Sequence, residues 1–406
     1  MRKVLTAARL WDGTQALADP VVEIENGRIA KIVSSAPTQR AIQPSADAAH
    51  YAGATLAPAF FDVHIHGAAG HDVMEATPQA LGKIGSFLAS HGTGSYLATT
   101  VTAPVDATLR ALESLADLIE HPERIGSAQG STSMHAGTAS VALPIGIHLE
   151  GPFLSHAKRG VQPAEHLLQP DIALFDRFFQ AARGHVRLMT LAPELKGAPE
   201  LARHATQRGV RVSMGHSDAT AAETRAVIAA GAVSATHTFN AMRALNHQEP
   251  GILGVVLTHD ALFAELICDG IHSRPEMTKL FWRAKGPERG ILITDAMSAT
   301  GMPDGEYQLG GFAVQVAEGR AMARGVLAGS VLTLDRALRN FIQFAGAPLD
   351  DALRLLTANP AAMTGLADHV GRLVVGQPAN LVAVDAKGKL IASIREGEVV
   401  QSFVAA

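Results

Sequence analysis

Six polar side chains lie at or just after the ends of short apolar segments, where strands would deliver them to a common surface. They are His64, His66, Glu150, His216, His237 and Asp295. Imidazole and carboxylate groups are ligands that Zn²⁺ and similar divalent ions take in proteins. We therefore predict a divalent metal site, with Asp295 as the group that transfers protons in a hydrolysis reaction.

Two of these histidines can share one ion. The segment D-V-H-I-H-G at 62–67 places His64 and His66 two residues apart, and side chains at that spacing in an extended chain point to the same side. Glu150 ends the apolar run at 146–150. A buried carboxylate needs a cation or a hydrogen-bond donor beside it, so Glu150 is predicted to be a metal ligand, with an ion pair to Arg159 as the alternative.

The other histidines follow strands of their own. His216 stands before Ser217, which we predict to cap the next helix, and His237 follows the next apolar run. Their positions on successive strands favour metal ligation by both. His148 lies on the same face as Glu150 and is interpreted as a core residue. His272 follows a turn at Asp269-Gly270 that could present it to a substrate.

The segments that carry these residues alternate between strand-like and helix-like patterns. Apolar runs occupy 53–63, 95–102, 144–150, 187–191, 210–214, 232–236, 263–267 and 290–294, with helix-like stretches such as 107–119, 219–230 and 275–282 between them. This pattern predicts an α/β protein with a (β/α)₈ TIM-type barrel, whose strands all end on one face. A doubly wound open sheet is the alternative, although no glycine-rich phosphate loop follows the first strand.

Both ends of the chain contain short strand-like segments separated by turns. Asn26-Gly27 separates two β-rich segments, which indicates a hairpin because both residues tolerate positive φ. Strand-like runs return at 380–384 and 390–394. We predict a small β-sandwich domain formed by residues 1–55 and 360–406, with the hydrolase barrel of residues 56–359 inserted between them.

The overall composition excludes several classes of protein. A net charge of −4 gives no basic face for nucleic acid. The single cysteine, Cys268, excludes an internal disulfide and is typical of a reducing compartment. The sequence contains neither a membrane-spanning apolar run nor a secretory signal at its start. We expect a cytoplasmic protein that acts on a small molecule and binds neither nucleic acid nor membrane.

The predicted ligands define a reaction class. A divalent ion lowers the pKa of bound water to roughly 7 and polarises a carbonyl group. Asp295 would take the proton of the water and pass it to the leaving nitrogen. The predicted reaction is therefore hydrolysis of an amide or similar C–N bond. Glycines between 301 and 311 indicate a hairpin flap over the site.

Taken together, the motifs resemble the N-acetylglucosamine-6-phosphate deacetylase family of the amidohydrolase superfamily. The motifs are D-V-H-I-H-G at 62–67, H-L-E-G-P-F at 148–153, G-H-S-D-A at 215–219, T-H-T-F-N-A-M at 236–242, D-G-I-H at 269–272 and T-D-A-M at 294–297. The similarity covers nearly the whole chain. It implies a barrel with a small β domain, a homodimer, and cleavage of N-acetylglucosamine 6-phosphate to glucosamine 6-phosphate and acetate.

The resemblance also assigns roles to the metal site. It implies that Glu150, His216 and His237 hold the main ion and that Asp295 is the general acid and base. His64 and His66 match the positions that hold a second ion in two-metal members. One or two divalent ions per subunit are therefore expected, with Zn²⁺ favoured and Fe²⁺, Co²⁺ and Mn²⁺ as alternatives.

Substrate contacts are implied in the same way. The positions that match those of the family are Val161, Gln162, Asn240, Ala241, Gln248, Asp269, Gly270, Ile271, His272, Ala328, Gly329 and Ser330. For His272 the resemblance leaves three partners open, namely the acetyl carbonyl, the sugar and the phosphate.

Two of these positions depart from the family pattern. The family usually has His where Gln162 stands, and where Gln248 stands it usually has an Arg that contacts the 6-phosphate, often across the dimer. Glutamine cannot make a charge-assisted bidentate contact, and its loss should cost on the order of 1.5–3 kcal/mol in phosphate binding. Arg243 and His247 are nearby replacements. An unphosphorylated or different N-acyl amino sugar or amine is therefore an alternative substrate, and a non-catalytic metal- or sugar-binding protein is a more distant alternative.

Overall fold

Eight parallel strands form the centre of the computed structural model, which describes residues 2–34, 48–127 and 140–403. They are β1 (Phe60–Ile65), β2 (Thr93–Thr99), β3 (Leu143–Glu150), β4 (Val186–Leu191), β5 (Arg211–Met214), β6 (Ala232–Ala235), β7 (Phe263–Ile267) and β8 (Gly290–Ile293). Their order in the sheet follows their order in the chain. The predicted α/β class and barrel strands are confirmed.

The barrel closes between β1 and the residues that directly follow β8. The backbone N–H of Asp295 donates to the carbonyl oxygen of His64 at 2.9 Å. The hydroxyl of Thr294 donates to the buried carboxylate of Asp62 at 2.6 Å. Burial raises the pKa of Asp62 to about 7. Closure excludes the doubly wound open sheet and places the polar ends of β1 and β8 side by side.

Helices follow the barrel strands and cover their outer surface. The α-helices are Pro78–Ser90, Val105–Glu120, Glu123–Ser127, Ile172–Ala181, Ala198–Gln207, Ala221–Ala229, Gly251–Thr258, Pro275–Arg289, Leu334–Ala345, Leu349–Arg354 and Ala358–Thr364, with 3₁₀ turns at Val73–Glu75 and Ala164–His166. None of the helices in the described ranges has the length and apolar character that crossing a bilayer requires.

One predicted helix start is wrong. Ser217 was expected to cap the helix after His216, but that helix begins at Ala221 and Thr220 caps it, in a capping box with Glu223. The hydroxyl of Ser217 instead donates to the carboxylate of Glu194 at 2.7 Å. The hydroxyl of Ser217 is therefore engaged by a carboxylate from another loop and does not cap the helix, which starts about one turn later.

Strands from both chain ends form one mixed sheet of eight strands, which confirms the small β domain. Its strands are Arg2–Trp11, Ala16–Ala18, Pro20–Glu25, Arg28–Ser34, Ala48–Pro58, Leu381–Val384, Leu390–Arg395 and Glu398–Ser402. The strand Ala48–Pro58 pairs in parallel with Arg2–Trp11 and antiparallel with Leu381–Val384, which joins the two ends of the chain. The predicted hairpin at Asn26-Gly27 is confirmed, with φ of 49° and 77°.

The apolar run at 53–63 is split between the two domains. Its first part lies in the strand Ala48–Pro58 of the small domain, and its second part lies in β1. The predicted boundary between residues 55 and 56 falls inside the first of these strands. Continuous apolar character hid the change of sheet because residues 54–63 are buried throughout.

An antiparallel meander follows β8 where a flap was predicted. Its strands are Gly305–Leu309, Phe312–Ala317, Arg320–Ala323 and Val326–Leu327. A separate two-stranded ladder pairs Gly67–Ala68 with His71–Asp72. The meander has its own apolar cluster, in which Val314 and Val316 pack near Met297. It is therefore a small packed layer, and the segment after its last strand returns to Asp295, where the backbone N–H of Ser330 donates to the carbonyl oxygen of Asp295.

The turn after β3 depends on a glycine. Gly151 has φ of +84°, and a Cβ at this position would lie 2.1 Å from Oγ1 of Thr102. We predict that Gly151→Ala lowers the free energy of unfolding by about 1–3 kcal/mol more than Gly209→Ala does. Gly209 has a similar φ of +80°, but no described atom lies within 4 Å of its added Cβ. Urea denaturation measures the difference, and equal losses in the two variants would contradict the role of the close contact.

Candidate active site

Four histidines and two carboxylates converge at the C-terminal ends of the barrel strands. His64 and His66 come from the end of β1, Glu150 is the last residue of β3, and His216, His237 and Asp295 each follow a strand by two residues. Each of the six is less than a tenth exposed. The structure thus brings together all six residues that the sequence analysis selected.

Glu150 lies at the centre of this cluster. Its Oε1 is 3.4 Å from Nε2 of His64 and 3.3 Å from Nε2 of both His216 and His237. Its Oε2 is 3.4 Å from Nε2 of His66. The carboxylate therefore contacts imidazoles on both sides and does not form the alternative ion pair with an arginine.

The cluster divides into two sets of ligands that share Glu150. One set is His64, His66 and Glu150, the other is Glu150, His216 and His237, and in each the ligand atoms lie within 4.8 Å of one another. Oε1 of Glu150 and Nε2 of His64 are buried with no hydrogen-bond partner among the described residues. Nε2 of His237 and Nε2 of His216 face each other at 3.1 Å. Inward-facing nitrogen and oxygen atoms of this kind fit a divalent ion.

The ionisable groups of the cluster depend on one another. Burial opposes charge on His64 and on Glu150, but their mutual attraction outweighs it. The pKa of His64 is raised well above its ordinary value by Glu150 and Asp295, and the pKa of Glu150 is held well below its ordinary value by the neighbouring imidazoles. A bound cation takes the place of such protons, so the cluster has the electrostatics of a metal site.

A cavity of about 430 Å³ opens onto this cluster. Six of the predicted substrate residues line it, namely Val161, Gln162, Asn240, Ala241, His272 and Gly329. The other six, Gln248, Asp269, Gly270, Ile271, Ala328 and Ser330, are not part of its wall. Residues that the sequence analysis did not select as substrate contacts also line it: His156, Lys158 and Arg159 from the loop after β3, and Leu309, Val326 and Leu327 from the meander.

Comparisons with known proteins agree with this arrangement. The sequence model described as the amidohydrolase family matches residues 55–405. The N-acetylglucosamine-6-phosphate deacetylase of Bacillus subtilis is 36% identical over 390 residues, which is 95% of this chain and 93% of that protein. This chain belongs to the N-acetylglucosamine-6-phosphate deacetylase family of amidohydrolases. The N-acetylgalactosamine-6-phosphate deacetylase of Escherichia coli O157:H7 is 37% identical over 388 residues, 95% of this chain and 96% of that protein.

Solved structures give the same result. The N-acetyl-D-glucosamine-6-phosphate deacetylase of Mycobacterium smegmatis, solved as an aspartate-to-alanine variant in complex with N-acetyl-D-glucosamine-6-phosphate, superposes with a TM-score of 0.87 at 34% identity, covering 99% of this chain and 100% of that one. The Thermotoga maritima enzyme superposes with a TM-score of 0.82 at 31% identity, over 97% and 98% of the two chains. The chain is accordingly a metal-dependent hydrolase of amides, as predicted.

Three site residues of this amidohydrolase have left-handed backbone. The φ values are 45° for His216, 30° for His237 and 51° for Asp295. Such a conformation costs a non-glycine residue on the order of 1–3 kcal/mol and persists only where the surroundings impose it. Here the residues next to the three side chains are fixed by hydrogen bonds across the barrel mouth, such as Ser217 N–H to Ala241 O at 3.0 Å. The strain is the consequence of turning each side chain inward directly after its strand.

Oxygen atoms behind three of the four imidazoles set their orientation. Nδ1 of His66 donates to the carbonyl oxygen of Thr99 at 3.2 Å, and Nδ1 of His216 donates to the carbonyl oxygen of Lys158 at 2.9 Å. A hydrogen bond at Nδ1 leaves the Nε2 lone pair for a metal ion. Nδ1 of His64 is 3.2 Å from Oε2 of Glu265. Glu265 was missed in the sequence, although a lone acidic residue inside the apolar strand β7 was a usable indication.

Gln162 contacts the metal-ligand cluster from the cavity wall. Its Nε2 donates to Oε2 of Glu150 at 2.9 Å, and its Oε1 accepts from the backbone N–H of Thr102 at 2.9 Å. The side chain is buried, so both ends of the amide are engaged. The amide of Gln162 therefore holds the central carboxylate in place.

Two of the predicted residues outside the cavity wall support residues that line it. The carboxylate of Asp269 is 2.7 Å from Nδ1 of His272. Burial acts to raise the pKa of Asp269, but the bond to His272 and two backbone N–H groups lower it overall. The backbone N–H of Ser330 donates to the carbonyl oxygen of Asp295 at 2.7 Å. Asp269 and Ser330 therefore position His272 and Asp295.

His148 is a core residue, in agreement with its interpretation from the sequence. Its Nε2 lies 2.8 Å from Oγ1 of Thr190, and it is fully buried beside His64. Burial holds the pKa of His148 well below its ordinary value. A neutral imidazole packed in this way fills the barrel interior beneath the ligands.

The shared position of Glu150 predicts the metal content of variants. We expect Glu150→Ala to lose metal from both ligand sets, because it removes a ligand from each, whereas His216→Ala should lose metal only from the set that contains His216 and His237. Metal per chain is measured by elemental analysis after equilibrium dialysis at a fixed free Zn²⁺ concentration. Glu165→Ala, an exposed carboxylate in the same loop region, is the control. An ion retained by Glu150→Ala would mean that the two sets do not share this ligand.

Proposed function

We propose that this amidohydrolase cleaves the N-acetyl amide of N-acetylglucosamine 6-phosphate, releasing acetate and glucosamine 6-phosphate. The observation that carries the proposal is the position of Asp295. Its Oδ1 lies 3.1 Å from Nε2 of His66 and 3.5 Å from Nε2 of His64, and it lines the cavity. A carboxylate that faces both the ligand cluster and the substrate space is placed to transfer a proton.

The metal ligands in this proposal are those of the two sets. Glu150, His216 and His237 would hold the main ion, and His64 and His66 with Glu150 a second. A divalent ion at these positions supplies Lewis acidity toward the amide carbonyl and the attacking water. Mixed imidazole and carboxylate donors make Zn²⁺ the favoured ion, with Fe²⁺, Co²⁺ and Mn²⁺ as alternatives.

The chain itself supplies proton transfer and orientation. Asp295 accepts a proton from the water that attacks the acetyl carbonyl carbon. It donates this proton to the amide nitrogen as the C–N bond breaks, which releases acetate and the free amine. His272 lines the cavity, and its Nδ1 is engaged by Asp269, so its Nε2 is the atom available to the substrate. Leu309 and Val326 line the cavity from the meander and limit the water around the reacting groups.

The cation for the 6-phosphate is proposed to be Arg159. This side chain lines the cavity, makes no ion pair within 4 Å among the described residues, and has a buried Nε without a hydrogen-bond partner there. The two replacements considered from sequence are less suitable. Arg243 pairs with Asp218 at 3.3 Å, and His247 is exposed outside the cavity wall. Gln248 is exposed as well.

A related substrate deserves a parallel test because the Escherichia coli relative is named for N-acetylgalactosamine 6-phosphate. The experiment is acetate release from both 6-phosphates and from the two unphosphorylated sugars, with protein of known metal content. Preference for N-acetylglucosamine 6-phosphate supports the proposal, whereas preference for N-acetylgalactosamine 6-phosphate would keep its phosphate part and overturn the choice of sugar. Equal or better use of a free sugar would overturn the phosphate part, and no release from any of the four would favour the non-catalytic alternative.

The proposal includes a cytoplasmic homodimer, on the strength of the family motifs. A single cysteine is typical of a reducing compartment. Cys268 is buried, and burial raises its pKa to about 12, so its thiol is unreactive.

Asp295 gives the first prediction of this function. Asp295→Asn keeps the shape of the side chain but cannot accept the proton, so kcat should fall at least about a hundredfold. Metal content should stay near that of the unchanged protein, because Asp295 lies outside both three-residue sets. Steady-state kinetics with metal analysis on the same sample measures both. Near-normal turnover would assign the proton transfer to another group.

Arg159 gives the second prediction of the proposed function. Arg159→Met should lower kcat/KM for the 6-phosphate substrate about 10- to 150-fold, which corresponds to loss of a charge-assisted contact of about 1.5–3 kcal/mol. The unphosphorylated sugar should be affected little. Arg243→Met is the matched control, since Arg243 already pairs with Asp218. The same fractional loss on both sugars would show that Arg159 acts on the structure of the loop and not on the phosphate.

A further inference from the structure

We propose that Glu265 positions His64 for a second divalent ion and thereby decides whether this enzyme holds one ion or two. The inference rests on the metal sites of the proposed function, and it assigns to them a residue that is not itself a ligand. Glu265 lies in the middle of β7, between apolar neighbours, and is fully buried.

The side chain of Glu265 reaches both sets of ligands. Its Oε2 is 3.2 Å from Nδ1 of His64, and the same oxygen accepts from the backbone N–H of His237 at 3.2 Å. Its Oε1 is buried without a hydrogen-bond partner among the described residues. Only the contact with His64 involves a ligand side chain. The set formed by His64, His66 and Glu150 is therefore the one whose geometry depends on Glu265.

The contact determines which nitrogen of His64 carries the proton. Nε2 of His64 faces two carboxylates, Glu150 at 3.4 Å and Asp295 at 3.5 Å, and both attract a proton to that nitrogen. A ring protonated at Nε2 has no lone pair for a metal ion there. The carboxylate of Glu265 on the opposite side draws the proton to Nδ1 instead, which leaves the Nε2 lone pair directed into the cluster.

The neighbours of His64 offer no substitute for this acceptor. His148 packs edge-on against His64 with ring centroids 4.6 Å apart. The nitrogens of His148 lie close to hydroxyls, 2.8 Å from Thr190 and 3.4 Å from Thr99. His66 differs, because the carbonyl oxygen of Thr99 already holds its Nδ1. Of His64 and His66, only His64 relies on a carboxylate from another strand to hold its Nδ1.

The charges of the site lead to the same conclusion. With neutral imidazoles, Glu150, Asp295 and Glu265 bring three negative charges into a region that is almost closed to water. One divalent ion neutralises these only in part, and burying the remaining charge is costly. A second ion beside His64 and His66 offsets it, so the presence of Glu265 is consistent with a two-ion site.

The test is a metal titration of Glu265→Gln, which keeps the size of the side chain. Its amide can donate to Nδ1 as well as accept from it, so it no longer fixes the tautomer of His64. Chelator-treated protein is titrated with Co²⁺, and bound ions are counted by elemental analysis after dialysis. We expect two ions in the unchanged protein, and in the variant a first ion bound nearly as before and a second bound about 10- to 100-fold more weakly.

Asp335→Asn is the matched control, because Asp335 also holds a histidine, with Oδ1 3.2 Å from Nδ1 of His91. It should bind both ions like the unchanged protein. If Glu265→Gln does not fold, as judged by circular dichroism, Glu265→Asp retains the charge but shortens the reach to His64 and should also weaken the second ion.

Three results would overturn the inference: a single ion in the unchanged protein at saturating Co²⁺, two unweakened ions in Glu265→Gln, or equal weakening of both ions. The last would show that Glu265 acts through the backbone of His237. The count requires no substrate. A protein that binds two ions but releases acetate from no N-acetyl sugar would defeat the proposed reaction and leave the role of Glu265 standing.

Discussion

The structure depends on one buried carboxylate. Glu150 ends a barrel strand with four imidazole nitrogens 3.3 to 3.4 Å from its oxygens, and it is 2% exposed. Taking such a group out of water is favourable only when opposite charge and hydrogen bonds compensate for the lost hydration. The imidazoles and a divalent ion provide that compensation, which explains why ligands from four strands meet at one point. The left-handed backbone of His216, His237 and Asp295 is the local strain that this convergence requires.

The loop after β3 links the metal centre to the substrate cavity. Within a few residues, the carbonyl oxygen of Lys158 orients His216, the amide of Gln162 holds Glu150, and Arg159 lines the cavity. A shift of this loop would therefore alter the metal ligands and the substrate pocket together. The amide of Gln162 contributes to this coupling because it bridges Glu150 and the N–H of Thr102 at the same time.

Much of this arrangement could be predicted from sequence because strand ends in a barrel share one face. Apolar runs that end in His, Glu or Asp were sufficient to select the six clustered residues. The failures have a common cause, which is contact between segments distant in the chain. The hydroxyl of Ser217 bonds to Glu194 and so does not cap its helix, and no local pattern shows that Glu265 lies behind His64. Likewise, the change of sheet within the run at 53–63 depends on which partner strand each half meets.

The charge distribution of the cavity gives a direction to substrate binding. The loop after β3 contributes cations to the wall, Lys158 and Arg159, while the carboxylates Glu150 and Asp295 lie in the ligand cluster that the cavity opens onto. Apolar side chains from the meander, including Leu309 and Val326, line the same space. An anionic group on the substrate is therefore attracted to the loop, which leaves the neutral acetamido group for the end of the cavity where the metal ligands lie. The same electrostatics that bind a phosphorylated sugar would thus orient its amide toward Asp295.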